Sequence, residues 1–190
     1  MRELKSIEEK ILDRALYLIG KNRSLNISVR AIAKEAEVNI SAINYYFRTK
    51  EEMMLQMKEL FIINTLSITS ILTDTSMVQE EKLIYSVNEI MEYIIRYPGI
   101  TVLLKDAKER TDKTSVRLLK ASDEMTEKIN GLFDNLLTGT ENISYKRVIF
   151  WSAVNYPLDD NGFDNYDSVF LKDRENRITY IRQLLKMLEN

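Results

Sequence analysis

The chain has 190 residues, 45% of them apolar, with 27 Lys/Arg against 29 Asp/Glu and a formal net charge of −2. It contains neither cysteine nor histidine, which removes disulfides, thiolate metal sites, the commonest imidazole metal ligand and the commonest general base. Two prolines and five glycines among abundant Leu, Ile, Glu and Lys favour an all-α protein. The opening MRELKSIEEK lacks an apolar signal core and no apolar run reaches membrane-spanning length, so a cytoplasmic chain with no membrane partner is expected.

The first predicted helix opens at the capping box Ser6-Ile7-Glu8-Glu9 and runs to about Gly20, with Ile7, Ile11, Ala15, Leu18 and Ile19 as its apolar face. Ser28 caps a second, short helix in which Ile32, Ala33 and Ala36 share a face. The break Glu37-Val38-Asn39 follows, and Asn39 caps a third helix whose Ile43, Tyr46 and Phe47 lie together at i, i+3 and i+4. Small side chains at Ala33 and Ala36 let the two short helices cross closely. Asn39, Ile40, Ser41, Ala42, Asn44 and Tyr45 then point away from that crossing, a small and hydrogen-bonding face suited to base edges in a DNA groove. Thr49-Lys50-Glu51-Glu52 is another capping box. The positive N-terminal end of the fourth helix, with Lys50, is a natural phosphate seat.

That fourth helix extends from Lys50 to about Leu72 and carries Met53, Met54, Met57, Leu60, Phe61, Leu66, Ile68 and Ile71. Further helices are predicted over about 78–97, ending before Pro98-Gly99, over 101–110, over 114–137 with Val116, Leu119, Met125, Ile129, Leu132 and Phe133 inside, and over 144–156. A loop is expected from Pro157 to Tyr166, then a last helix from about Asp167 to Leu188. Charge is unevenly spread. Residues 1–50 hold ten Lys/Arg and six Asp/Glu, whereas residues 51–190 hold seventeen and twenty-three. The basic share sits with the short helices, as a nucleic-acid contact requires.

Ser28, Arg30, Ile32, Ala33, Ala36, Val38, Ile43, Tyr45, Tyr46, Phe47, Lys50 and Glu51 together resemble the N-terminal DNA-binding domain of the TetR family of transcriptional repressors, over roughly residues 5–55. The likeness departs at Glu37, where the family has a turn glycine, at Ser41, often glycine, and at Asn44, often tyrosine. It implies a three-helix helix-turn-helix head over residues 1–50 and a helical effector-binding and dimerisation body over residues 51–190. It implies a homodimer on a palindromic double-stranded operator, released when a small-molecule effector enters the body and shifts the fourth helix. No cofactor or metal is expected. Ser28, Tyr46 and Lys50 are expected on phosphates. Arg30, Asn39, Ser41, Asn44 and Tyr45 are expected on bases or flanking backbone, and Ile40 and Ala42 on thymine methyl groups.

Two sets in the body stay open between function and packing. Met57, Phe61, Asn64, Tyr85, Asn88, Met91, Met125 and Trp151 are candidates to line an effector pocket, or else core fillers, the usual role of methionine and aromatic side chains. The resemblance places the dimer seam on the last two helices, with Val148, Trp151, Ser152, Ile178, Ile181 and Leu185 as candidates; the alternative is the core of one chain. Two rival readings remain. One is a helix-turn-helix protein whose body binds another protein. The other is an all-helical enzyme using Asp159, Asp160 or Asp164. Their run LDDNGFDNYD lacks calcium-loop spacing, since Phe170 stands where the twelfth-position glutamate belongs.

Overall fold

A computed structural model describes residues 6–139, 141–155 and 168–189. In chain order the elements are α1 (Ile7–Asn22), α2 (Val29–Glu35), α3 (Ile40–Tyr46), α4 (Lys50–Thr73), α5 (Gln79–Arg96), α6 (Ile100–Lys108), α7 (Lys113–Leu136), α8 (Ile143–Asn155), a short 3-10 helix (Ser168–Lys172) and α9 (Arg174–Glu189). The regular structure of the described residues is helical throughout, as expected. The anticipated loop 157–166, with Asp159, Asp160 and Asp164, lies outside the described residues, as do Tyr156 and the Val169 side chain. Packing divides the chain into two compact units, Met1–Asn64 with Arg96–Ser122 and Thr65–Ile95 with Asp123–Asn190.

In the first unit, the Ser6 side chain caps α1 by accepting from the Glu9 N–H at 3.1 Å. The helix buries Ile11, Leu12, Ala15, Leu16, Leu18 and Ile19. Ile7 departs from the expected face and is half exposed. The arc covered by α2, α3 and α6 is broader than a single stripe and is centred further along the helix, so it takes in Leu12 and Leu16 instead. Gly20 does not end α1, which continues to Asn22. Its lack of a side chain serves close approach. A Cβ on Gly20 would lie 2.5 Å from Gly99 N, and one on Gly99 would lie 2.3 Å from the Leu16 carbonyl oxygen. The backbones of α1 and the start of α6 therefore touch, which only glycine permits on both sides.

The helix ends of the head share one device. After α1, Arg23 is left-handed at φ 48°, its N–H donates to Gly20 O at 3.1 Å, and the Ser24 N–H donates to Ile19 O at 3.2 Å. After α2, Glu37 is left-handed at φ 55°, its N–H donates to Lys34 O at 3.2 Å, and the Val38 N–H donates to Ala33 O at 3.0 Å. Both are Schellman turns, which satisfy the last carbonyls of a helix and reverse the chain. Each sets an arginine or a glutamate where glycine is the unstrained choice, a strain of roughly 1–2 kcal/mol for an L side chain.

Buried charge ties the first unit together. Asp13 of α1 is buried and accepts from Arg14 and, at 3.1 Å, from Arg96 Nε. Lys58 of α4 is buried and donates from Nζ to Asp106 Oδ2 of α6 at 2.9 Å and to Ser115 Oγ of α7 at 2.9 Å. Ser115 Oγ donates on to Asp112 Oδ2 at 2.6 Å, and the Ser115 N–H donates to Asp112 Oδ1 at 2.9 Å. Arg110 Nε closes on Asp106 at 2.7 Å. Partial burial pushes the Asp106 carboxyl up, but hydrogen bonds from Arg110 and Lys58 outweigh it and hold the carboxyl below its ordinary value. The Ser115 hydroxyl, then its N–H, likewise hold Asp112 low.

The second unit has one continuous apolar core. It draws on Leu83, Val87 and Met91 of α5, Met125, Ile129 and Phe133 of α7, Phe150 and Val154 of α8, and Ile178, Ile181 and Leu185 of α9, among others. The Phe133 and Phe150 rings meet at 4.7 Å. Each such side chain contributes about 1.5–3 kcal/mol when removed from water. Arg177 is buried at the start of α9. It donates to Asn88 Oδ1 at 3.0 Å, Glu92 Oε2 at 2.6 Å and the carbonyls of Leu171 and Lys172 at 3.1 and 2.9 Å. The last helix begins later than expected, at Arg174, because Asp173 caps it by accepting from the Asn176 N–H at 3.0 Å. Val116 and Leu66, expected inside, are exposed. Leu118 takes a core position on α7, and Ile62 and Leu72 do so on α4, where apolar residues lie on several sides and the pattern does not choose one.

Two predictions follow from strain and from buried charge. Glu37→Gly relieves the left-handed turn and should raise unfolding free energy by about 0.5–1 kcal/mol once glycine's own entropy is subtracted. Glu37→Val should lower it, and urea titration checks both. The folded Asp106 carboxyl has a lowered pKa, so its stabilising contribution is full above the unfolded value near 4 and is lost as pH falls through the folded value. Asp106→Asn should therefore destabilise most at neutral pH, by roughly 3–5 kcal/mol because Lys58 is left buried without its carboxylate. The gap from the unmodified chain should shrink as denaturant midpoints are followed from pH 6 to pH 3.

Candidate nucleic-acid interface

The short helices α2 and α3 separate their residues cleanly. Ile32, Ala33, Ala36, Ile43 and Phe47 are buried. Ser28, Arg30, Asn39, Ile40, Ser41, Asn44 and Tyr45 are exposed, and Ala42, Tyr46 and Lys50 are half-buried. The candidate contact residues of α3 thus lie on the open side of the helix, while its core residues face inward. The i, i+3, i+4 pattern set this division, and the Schellman turn at Glu37 realises it by aiming α3 across α2.

Each cap limits what its side chain can do. Ser28 Oγ accepts from the Ala31 N–H at 3.1 Å, so its own hydroxyl hydrogen remains available to an acceptor such as phosphate. Asn39 Oδ1 accepts from the Ala42 N–H at 2.7 Å, which occupies one of its two acceptor sites and leaves its amide hydrogens for a ligand. Thr49 Oγ1 accepts from the Glu52 N–H at 3.0 Å, and Glu52 Oε2 accepts from the Arg48 N–H at 3.2 Å. The capping box is reciprocal, with its return bond one residue earlier than the usual position. It seats Lys50 at the first turn of α4, where helix partial charge and ammonium act in the same sense on an anion. Tyr45 stands edge-on to Tyr46 at 5.1 Å, and Tyr46 lies 6.4 Å from Phe47. This aromatic row fixes the end of α3 and leaves the Tyr45 ring 81% exposed. Arg48 is also exposed between α3 and α4. It places a further cation directly before Thr49 and Lys50.

The body candidates divide by unit. In the first, Met57 and Phe61 are buried, and Asn64 donates to its own helix at Leu60 O, 2.9 Å away. In the second, Met91 and Met125 belong to the apolar core, and Tyr85 packs at its margin beneath Arg174. Asn88, singled out as an amide in need of a partner, accepts from Arg177 and donates to Glu89 at 3.1 Å. Trp151 Nε1 donates to Asn130 Oδ1 at 2.8 Å. Packing alone accounts for the polar atoms of Asn64, Asn88 and Trp151.

The seam candidates also divide. Ile178, Ile181 and Leu185 are buried in the core of their own chain, which corrects their expected place at a partner surface. They turn inward because they belong to the same apolar core as Leu83, Val87 and Met91 of α5, Ile129 and Phe133 of α7 and Phe150 and Val154 of α8. Val148 and Ser152 are exposed and Trp151 is half-buried. They line an open groove of about 580 Å³ with Ser144, Arg147 and Asn155. Tyr145, Val148 and Ile149 leave large apolar surface uncovered on the same helix, at 73%, 66% and 52% exposure.

Residues 11–57 match the family described as "Bacterial regulatory proteins, tetR family". A probable HTH-type transcriptional regulator, YttP of Bacillus subtilis, is 31% identical over 127 residues, which cover 65% of this chain and 60% of that protein. The chain thus matches less than two thirds of that relative's length. Among solved structures, a TetR-family transcriptional regulator from Bordetella parapertussis superposes with a TM-score of 0.69 at 14% identity, over 97% of this chain and 95% of the other. PfmR, a TetR family regulator of Thermus thermophilus, gives 0.62 at 15% identity, over 93% and 97%. FadR of Bacillus subtilis, solved in complex with stearoyl-CoA, gives 0.50 at 16% identity, over 94% and 96%. Over residues 11–57 the chain is thus similar to the TetR family of bacterial regulatory proteins, and its described residues share the all-helical fold of solved TetR-family regulators.

Proposed function

We propose that the chain is a DNA-binding transcriptional regulator, a repressor that holds a palindromic operator as a homodimer in the cytoplasm and leaves it when a small molecule binds. Residues 1–50 serve as the DNA-binding domain and residues 51–190 as the effector-binding and dimerisation domain. The observation that carries this reading is the exposed face of α3, backed by a buried one and flanked by Ser28, Arg30, Arg48 and Lys50. In this reading Ser28, Tyr46, Arg48 and Lys50 hold phosphates and set the register. Arg30 and the open residues of α3 meet base edges.

The dimer is supported by the uncovered apolar surface of α8 and its groove. A monomer rarely exposes neighbouring large apolar side chains of this kind without a partner for them. Two heads related by a twofold axis reach half-sites about 34–36 Å apart. Release follows from linkage: the effector must bind the DNA-incompetent state more tightly than the competent one. An apolar effector is the reading that methionine-rich helices favour, and the stearoyl-CoA held by the FadR of like fold agrees with it.

Binding to duplex DNA tests the head. Lys50→Ala should weaken binding about equally on all sequences and reduce the slope of log affinity against log salt by about one. Arg30→Ala should lose roughly 1–3 kcal/mol and relax preference at one base position. Unchanged DNA binding in the double alanine variant would show the head to be misplaced. The dimer has its own test. Val148→Glu should convert the sedimenting species to monomer and weaken palindrome binding about 100-fold or more, as lost bivalency predicts. A Val148→Glu chain that still sediments as a dimer would move the seam away from α8.

A further inference from the structure

The open face of α3 has a chemical bias. The helix reads ISAINYY and carries no lysine, arginine, aspartate or glutamate. In the major groove, guanine is read chiefly by the fork of an arginine or by a lysine, and the cytosine amine by a carboxylate. Both kinds of G·C reader are missing from α3. What it exposes is Ile40, Ser41, Asn44 and Tyr45. An asparagine amide matches the N6 and N7 edge of adenine, and an apolar side chain matches the thymine methyl group.

Spacing sharpens the bias. Ile40 and Asn44 are four residues apart and share a face, about 6 Å along the helix axis at 1.5 Å per residue. That is close to two base-pair steps of about 3.4 Å. Asn39 is the weaker reader, because its oxygen already accepts from the Ala42 N–H at 2.7 Å and holds the side chain against the helix start. The Asn44 side chain forms no hydrogen bond within the described residues, so both its donor and its acceptor are open to one base. The nearby cations stand off α3: Arg30 and Lys34 on α2, Arg48 and Lys50 after it. They can reach phosphates, or a guanine at the margin of the site.

Resting on the DNA-binding reading above, we propose that α3 reads a core of A·T pairs in each half-site, with Asn44 on an adenine and Ile40 on a thymine methyl about two steps away. Any required guanine lies outside this core, under Arg30. Ser41 donates or accepts without choosing a base, and Tyr45 adds apolar contact at the edge of the core.

Selection of bound sequences from random duplex DNA, followed by single-position binding measurements, tests this. The selected half-sites should hold A·T pairs at the positions that Asn44→Ala and Ile40→Ala affect. Replacing the critical thymine with uracil, which removes only the methyl group, should weaken the unmodified protein about threefold to fourfold. The same replacement should leave Ile40→Ala unaffected. Asn44→Ala should bind roughly 5- to 100-fold more weakly and lose its preference for adenine at one position. G·C pairs at the positions governed by Asn44 and Ile40 would overturn the inference while leaving DNA binding intact, as would indifference of the unmodified protein to every thymine-to-uracil exchange. The absence of salt-dependent retention on any duplex would overturn the DNA-binding reading itself, and this inference with it.

Discussion

The geometry of the head depends on one backbone turn. A helix that must stop and reverse within three residues leaves its last carbonyls unpaired unless the chain passes through a left-handed residue. At the end of α2 that residue is Glu37, and the Val38 N–H to Ala33 O bond closes the turn. The direction of α3 follows from it. Ala33 and Ala36 are small enough for α3 to lie close across α2, and Ile43 and Phe47 fill the crossing. Once those are buried, Ile40, Ser41, Asn44 and Tyr45 have nowhere to go but outward. The open face of α3 is the remainder of a packing problem solved on the other side of a two-turn helix.

The unit that carries α3 is also held by contacts away from it. The α1 backbone meets the start of α6 at Gly20 and Gly99 with no side chain between. Asp13 and Arg96, and Lys58 with Asp106 and Ser115, add buried charge-assisted bonds within the same unit. Buried pairs of this kind contribute modest net stability against apolar replacements, yet breaking one partner is expensive. The first pair ties α1 to Arg96 at the end of α5, and the second ties α4 to α6 and the start of α7. Arg177 does the same in the second unit, where its guanidinium joins α9 to α5 and to the 3-10 helix.

Much of the head was legible because its signals are local. Ser6, Ser28, Asn39 and Thr49 each accept from an N–H three residues on, and this contact depends only on nearby sequence. The periodicity of Ile32, Ala33, Ile43 and Phe47 works over the same short range. The body was less legible. On α8, apolar residues occupy both sides, and only contact with Phe133 and α9 selects Phe150 and Val154 over Val148 and Ile149. On α9, Ile178, Ile181 and Leu185 form a stripe that serves equally as core or as seam until the core is seen to need it. Asn88 looked like an unpartnered amide because its partner, Arg177, lies 89 residues away.

By itself, the sequence determined where α1, α2, α3 and α4 begin, which face of α2 and α3 is apolar, that residues 1–50 are basic and that α3 is uncharged. Those properties are decided by neighbours within one or two helical turns. Tertiary structure decided the rest: that Arg23 rather than Gly20 turns the chain after α1, that Gly20 instead admits α6, which polar side chains are consumed by buried networks, and which apolar face of α8 is left open. Each of these depends on an atom brought close by folding from a distant part of the chain, and neither periodicity nor capping carries information over that distance.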